Sequence, residues 1–105
     1  MTPKLGEVWM VDMGMAGKVR PAVVVLDDRV DVERAIVVHI PITSQNRGSV
    51  LEVSLGHLRF LTPESTANVQ AIGSLPKTRF ERKLGILPPA DLEKIRQAMR
   101  IAFAL

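Results

Sequence analysis

Arg20 follows Gly17-Lys18-Val19 and stands directly before the apolar run that opens with Pro21-Ala22-Val23. A residue before proline is steered to extended backbone, so the guanidinium is set at a strand entry and can offer several donors to a phosphate. The competing reading is an arginine that pairs with Asp12 or Glu7 at a strand start. Pro41-Ile42-Thr43-Ser44-Gln45 places two hydroxyls and an amide after a second apolar run, where side chains converge at a sheet rim. Its competing reading is a hydroxyl-rich turn that satisfies its own backbone. A third stretch, Ser65 to Phe80, carries Gln70, Ser74, Lys77 and Arg79; alone it reads equally well as a half-exposed strand and a charged loop. His39 lies inside an apolar run and reads as a satisfied, half-buried side chain. Trp9 reads as core, although an indole near a rim can also stack on a base.

Several chemistries are excluded. The 105 residues contain no cysteine, so there is no disulfide framework and no thiol nucleophile, which fits a reducing compartment. His39 and His57 are the only histidines, and neither has a carboxylate at ligand spacing, so neither a metal nor a cofactor is expected. Gly-x-Ser-x-Gly and a phosphate-binding glycine loop are both missing, and no pair of carboxylates stands out. Net charge is +3, unevenly spread: residues 1–46 hold five Lys/Arg against six Asp/Glu, residues 47–105 nine against five. The basic excess around Lys77, Arg79, Arg82 and Lys83, and again at Lys94, Arg96 and Arg100, makes a field that attracts phosphate or an ordinary solvated surface. No apolar stretch has signal-peptide or bilayer length, so a soluble cytoplasmic protein without membrane contact is expected.

The elements that must position these residues follow from apolar runs and turn residues. Val8 to Met13 reads as a strand between Gly6 and Gly14, and Gly14 to Lys18 as a short loop containing Gly17. Pro21 to Leu26 is continuously apolar and is expected as a strand buried on both faces. Asp27 to Glu33 reads as loop, Ala35 to Ile40 as a third strand with Pro41 at its end, and Ser44 to Gly48 as loop. Val50 to Leu55 is a weaker fourth strand, and Thr66 to Leu75 a fifth ending near Pro76. Lys77 to Lys83 holds a short strand or helical turn. Pro88 and Pro89 then open a helix on which Leu92, Ile95, Ala98, Met99 and Ala102 recur at helical spacing. The expectation is one domain over residues 1–105, mostly β with one C-terminal helix, as a small, strongly bent sheet or barrel. A domain this short leaves much surface exposed, which favours a dimer.

Taken together, these pieces resemble the MazF/PemK family of toxin endoribonucleases. Gly6-Glu7-Val8-Trp9-Met10-Val11-Asp12 is similar to that family's opening strand, and Gly17-Lys18-Val19-Arg20-Pro21-Ala22-Val23-Val24-Val25 to its Gly-x-x-Arg-Pro-Ala-Val-x-Val signature. Pro41-Ile42-Thr43-Ser44 resembles its Pro-Ile-Thr-Ser segment, and Ser65, Lys77-Thr78-Arg79-Phe80 and Lys83-Leu84-Gly85-Ile86-Leu87 continue the match in order. The resemblance implies a small SH3-like barrel of the CcdB/PemK type with a C-terminal helix, working as a homodimer. It implies sequence-selective cleavage of single-stranded RNA without metal or cofactor, through attack by the ribose 2′-hydroxyl, and a cognate antitoxin protein that occludes the site. Arg20 becomes the catalytic arginine and Thr43 its partner, with RNA contacts expected from Lys18, Ser44, Gln45, Gln70, Lys77 and Arg79. A fixed guanidinium and a hydroxyl stabilise the charge that builds on phosphorus. Proton transfer is secondary, because arginine gives up its proton so reluctantly.

Two departures stand out. Where the family has an acidic residue, Gln, a spacer and Arg, this chain has Gln70, Ala71, Ile72 and Gly73. The loop from Gly14 to Val19 is also shorter than the family's. Two other readings stay open: a barrel module that binds RNA or an antitoxin-like partner without cutting, and a topoisomerase poison. The latter would act through its C-terminal segment, and here Ile101-Ala102-Phe103-Ala104-Leu105 is expected to pack into the core.

Overall fold

The computed structural model describes residues 2–14 and 18–105; Gly17, expected in the first loop, lies outside the described residues. Strands β1 (Glu7–Asp12), β2 (Val19–Val24) and β3 (Ile36–Thr43) form the centre of the sheet. They are followed by β4 (Glu52–Ser54), β5 (Thr66–Asn68), β6 (Gly73–Pro76) and β7 (Phe80–Ile86), and by helix α1 (Pro89–Phe103). All pairings are antiparallel, in the order β4-β5-β3-β2-β1-β7, with β6 also on β3. This is the mostly β fold with one C-terminal helix that the sequence implies.

The bend is made by β3. Its first half, Ile36 to His39, pairs with β6, and its end, Ile42 and Thr43, pairs with β5. Pro41 falls where β3 leaves one partner for the other, so its missing N–H interrupts neither pairing. The strand therefore runs through Pro41 to Thr43, three residues past the end expected from the sequence. The expected fifth strand likewise divides, because a 3-10 turn over Val69–Ala71 separates β5 from β6. Lys77 to Lys83 holds both expected alternatives: a 3-10 turn over Lys77–Arg79 and then the start of β7.

β2 begins and ends two residues earlier than the expected Pro21–Leu26 strand, so it takes in Arg20, and its apolar end, Ala22 to Val24, is fully buried between the two faces. Val8, Val23, Ile40, Leu55, Val69 and Ile95 belong to one cluster. Trp9, Val11, Ala22, Val24, Val37 and Phe80 form the other. Alternate residues of β1 and β2 serve opposite clusters, as the period of a strand dictates. Helix α1 starts with Pro89 at its first position, where no N–H is needed, and closes the first cluster with Ile95 and Ala98.

The helix end departs from expectation. Ala102 is exposed, and Ile101, Phe103 and Leu105 are 59%, 48% and 86% exposed. The apolar terminus therefore does not pack into this chain's core, because α1 runs past the edge of the cluster it covers. Among the described residues, no helix is long and apolar enough to cross a membrane.

Candidate functional site

Arg20 lies on β2 opposite Val11 of β1. The β2–β3 register pairs Ala22 with Pro41, and continuing it by two residues sets Arg20 opposite Thr43. The carboxylates that could have claimed Arg20 are occupied elsewhere. Glu7 is buried and accepts from the Trp9 indole Nε1 at 2.9 Å, from the Lys4 backbone N–H at 2.8 Å, and from Lys83 Nζ at 3.0 Å. Asp12 accepts from the Gly14 N–H at 2.8 Å and lies 3.6 Å from Arg79 Nη1. No ion pair among the described residues includes Arg20. The structural reading of this arginine is therefore not realised, and a half-buried guanidinium is left to face solvent. Thr43 Oγ1 accepts from the Gln45 N–H at 3.2 Å, which leaves its own O–H available as a donor.

Two clefts meet at this pair. One, of about 580 Å³, is polar: beside Arg20 and Thr43 it is lined by Gln45, Arg47, Asn68 and Gln70, with Glu52 and Ser49. The other, of about 380 Å³, shares Arg20 and Thr43 but is mostly apolar, with Met10, Pro21, Ile42, Phe60, Leu61 and Leu84. Its polar members are Ser44, Thr62, Ser65 and Arg82. Phe60 can lie flat on β7 because Gly85 has no side chain; a Cβ there would come within 2.5 Å of the ring. An anion bound at Arg20 and Thr43 would thus have a hydrogen-bonding compartment on one side and an apolar one on the other.

Among the residues singled out in the sequence, Arg20, Thr43, Ser44, Gln45 and Gln70 line these clefts. Lys18 sits at the base of the first hairpin, its carbonyl accepting from the Met13 N–H, with its side chain exposed. Lys77 and Arg79 line neither cleft. Lys77 Nζ donates to Thr2 Oγ1 at 3.1 Å, and Arg79 lies against Gly14 and Asp12 at the end of β1. The charge in the clefts comes instead from Arg47 and Arg82. Arg47 lies in the expected Ser44–Gly48 loop, two residues beyond the hydroxyl-bearing stretch that ends at Gln45. Arg82 comes beside Met10 only through a β1–β7 pairing with two register shifts, which no sequence period announces.

His39 and Trp9 are core. His39 is buried, edge-on to Phe80 with ring centres 6.0 Å apart, and Nδ1 is 3.5 Å from the Val37 carbonyl oxygen. Burial pushes its pKa below the ordinary histidine value, and the Val37 contact offsets this only in part. Neither residue lines either cleft. Among the described residues, no three His, Asp or Glu side chains gather as a metal site would require.

Comparison with known proteins places the fold. A family model described as PemK-like, MazF-like toxin of type II toxin-antitoxin system matches residues 4–103. A Mycobacterium tuberculosis protein described as probable endoribonuclease MazF2 is 32% identical over 96 residues, covering 90% of this chain and 92% of that protein. A mycobacterial endoribonuclease solved in complex with its cognate antitoxin superposes with a TM-score of 0.85 at 28% identity, covering 98% of this chain and 96% of that one. A MazE–MazF structure from Deinococcus radiodurans shares the fold at 19% identity, with a TM-score of 0.84 over 100% of this chain and 98% of that one.

Proposed function

Because the chain belongs to the PemK-like, MazF-like family of type II toxins, we propose that it is an endoribonuclease that cuts single-stranded RNA and is neutralised by a cognate antitoxin protein. The observation that carries this reading is Arg20, unpaired among the described residues, opposite Thr43, where a polar and an apolar cleft meet. The scissile phosphate sits at Arg20, and the flanking nucleotides enter the two clefts. The ribose 2′-oxygen attacks phosphorus, the new O–P bond forms as the bond to the 5′-oxygen breaks, and a 2′,3′-cyclic phosphate and a 5′-hydroxyl result. Arg20 and Thr43 donate to the non-bridging oxygens as charge builds there. The 2′-hydroxyl proton passes to solvent, and solvent returns one to the departing oxygen. Gln45, Asn68 and Gln70 offer both donors and acceptors, which supports selectivity for the base in the polar cleft.

The protein acts in the cytoplasm as a homodimer. The exposed Ile101, Phe103 and Leu105 are the apolar surface that a second copy covers, and this assigns the helix end to assembly rather than to insertion into a topoisomerase. Incubation with a long single-stranded RNA in excess chelator tests the reading. Cleavage to fragments ending in cyclic phosphate is expected at the rate seen without chelator. Cleavage that stops with chelator and returns with a divalent ion would contradict it.

A further inference from the structure

The polar cleft holds a second guanidinium, that of Arg47, on a loop whose backbone is held by its own side chains. The Glu52 carboxylate accepts from the Arg47 N–H at 3.1 Å through each oxygen and from the Ser49 N–H at 2.8 Å. Asn46 Oδ1 accepts from the Gly48 N–H at 2.8 Å, and Asn46 Nδ2 donates to Ser54 Oγ at 3.2 Å. Gly48 adopts φ +73°, which side chains other than glycine rarely take. Ser49 Oγ accepts from the Leu51 N–H at 3.0 Å, and the Ser49 carbonyl from the Glu52 N–H at 3.1 Å. A charged group is thus committed to backbone donors in an exposed loop, where an ordinary turn would use water. Arg47 itself has only a long 3.4 Å contact to Gln45 Oε1, and no ion pair among the described residues includes it.

We propose that the loop from Ser44 to Val50 is a second phosphate clamp, in which Arg47 takes the phosphate adjacent to the scissile one and Glu52 is the positioning residue that holds it there. Arg20 and Arg47 line one cleft together with Gln45, Asn68 and Gln70, so the clamp assigns one guanidinium to each of the two phosphates that flank a nucleoside and the three amides to the nucleoside itself. The cation that Gly73 does not supply is provided from a different strand connection. This inference rests on the ribonuclease reading for the identity of the phosphates. Because Arg47 contacts a phosphate that does not react, it binds substrate and transition state alike and acts through KM rather than kcat.

The test uses the whole protein, cleavable RNA, and a 2′-O-methylated single-stranded RNA that it can bind but not cut. Arg47→Ala is expected to lower kcat/KM by roughly tenfold to a hundredfold, nearly all through KM. It should also reduce the slope of log affinity against log salt by about 0.7, the loss of one single-strand phosphate contact. Glu52→Gln is expected to act in the same direction, and to add nothing in the Arg47→Ala background; a merely structural role would add its own loss there. An Arg47→Ala variant with unchanged KM and salt slope overturns the clamp and leaves the ribonuclease reading standing. Arg47-dependent binding by a wild type that cuts nothing upholds the clamp and removes the ribonuclease reading. A wild type that binds no RNA overturns both.

Discussion

Arg20 and Glu7 are both polar groups set into apolar strands, and the structure separates their roles by their partners. Glu7 is buried and fully engaged by Trp9, Lys4 and Lys83. Burial raises its pKa, but the hydrogen bonds from Trp9 and Lys4 and the Lys83 ammonium together bring it below the ordinary value of 4.5. A carboxylate depressed in the folded state contributes stability that is complete above the unfolded pKa and is lost as pH falls through the folded value. The melting temperature is therefore expected to drop as pH falls below about 4.5, and Glu7→Gln, which keeps an acceptor for Trp9, should flatten that drop. Glu7→Ala is expected to cost about 1–3 kcal/mol in urea unfolding, since it strands the buried indole N–H. Equal pH slopes in wild type and Glu7→Gln would show that the carboxylate is not the titrating anchor. Arg20 has no such partner among the described residues, which is why its removal should spare stability and affect chemistry.

At the scale of elements, legibility followed the range of the interaction that decides each one. β1, β2 and α1 were readable because period, glycine and proline signals are local. The end of β3 was not, because Pro41 is tolerated only where the strand exchanges β6 for β5. The division of the expected fifth strand has a similar cause: Asn68 Oδ1 accepts from the Gln70 N–H and caps a 3-10 turn that the apolar pattern conceals. In the site, the β2 and β3 contributions were evident from sequence motifs, whereas Lys77 and Arg79 were favoured for their charge and lie outside both clefts. Phe60 and Arg82 enter the apolar cleft through long-range packing that sequence spacing does not encode. That packing is itself testable. Gly85→Ala places a methyl within 2.5 Å of the Phe60 ring, so it should cost about 1–3 kcal/mol through overpacking and weaken RNA cleavage by displacing Phe60. A variant as stable and active as wild type would show that the ring does not depend on the glycine.

For the whole molecule, the unfinished surface lies at the helix end. Val50, 71% exposed, and Ile101 border a shallow groove with Val53 and Ala98, and Phe103 and Leu105 extend beyond it. Glu52 lines both this groove and the polar cleft, so a second copy seated there would lie beside the Arg47 loop. Phe103→Glu is expected to convert a dimer to a species near 11.6 kDa in sedimentation equilibrium; a variant that remains dimeric would place the interface elsewhere. Arg20 is unpaired among the described residues, and single-turnover cleavage of long single-stranded RNA by wild type and Arg20→Ala, with circular dichroism and thermal melts on both, tests its role most directly. The expected result is a loss of at least about a hundredfold in the cleavage step with an unchanged melt. Cleavage by a folded Arg20→Ala variant at the wild-type rate would show that Arg20 does not carry the reaction.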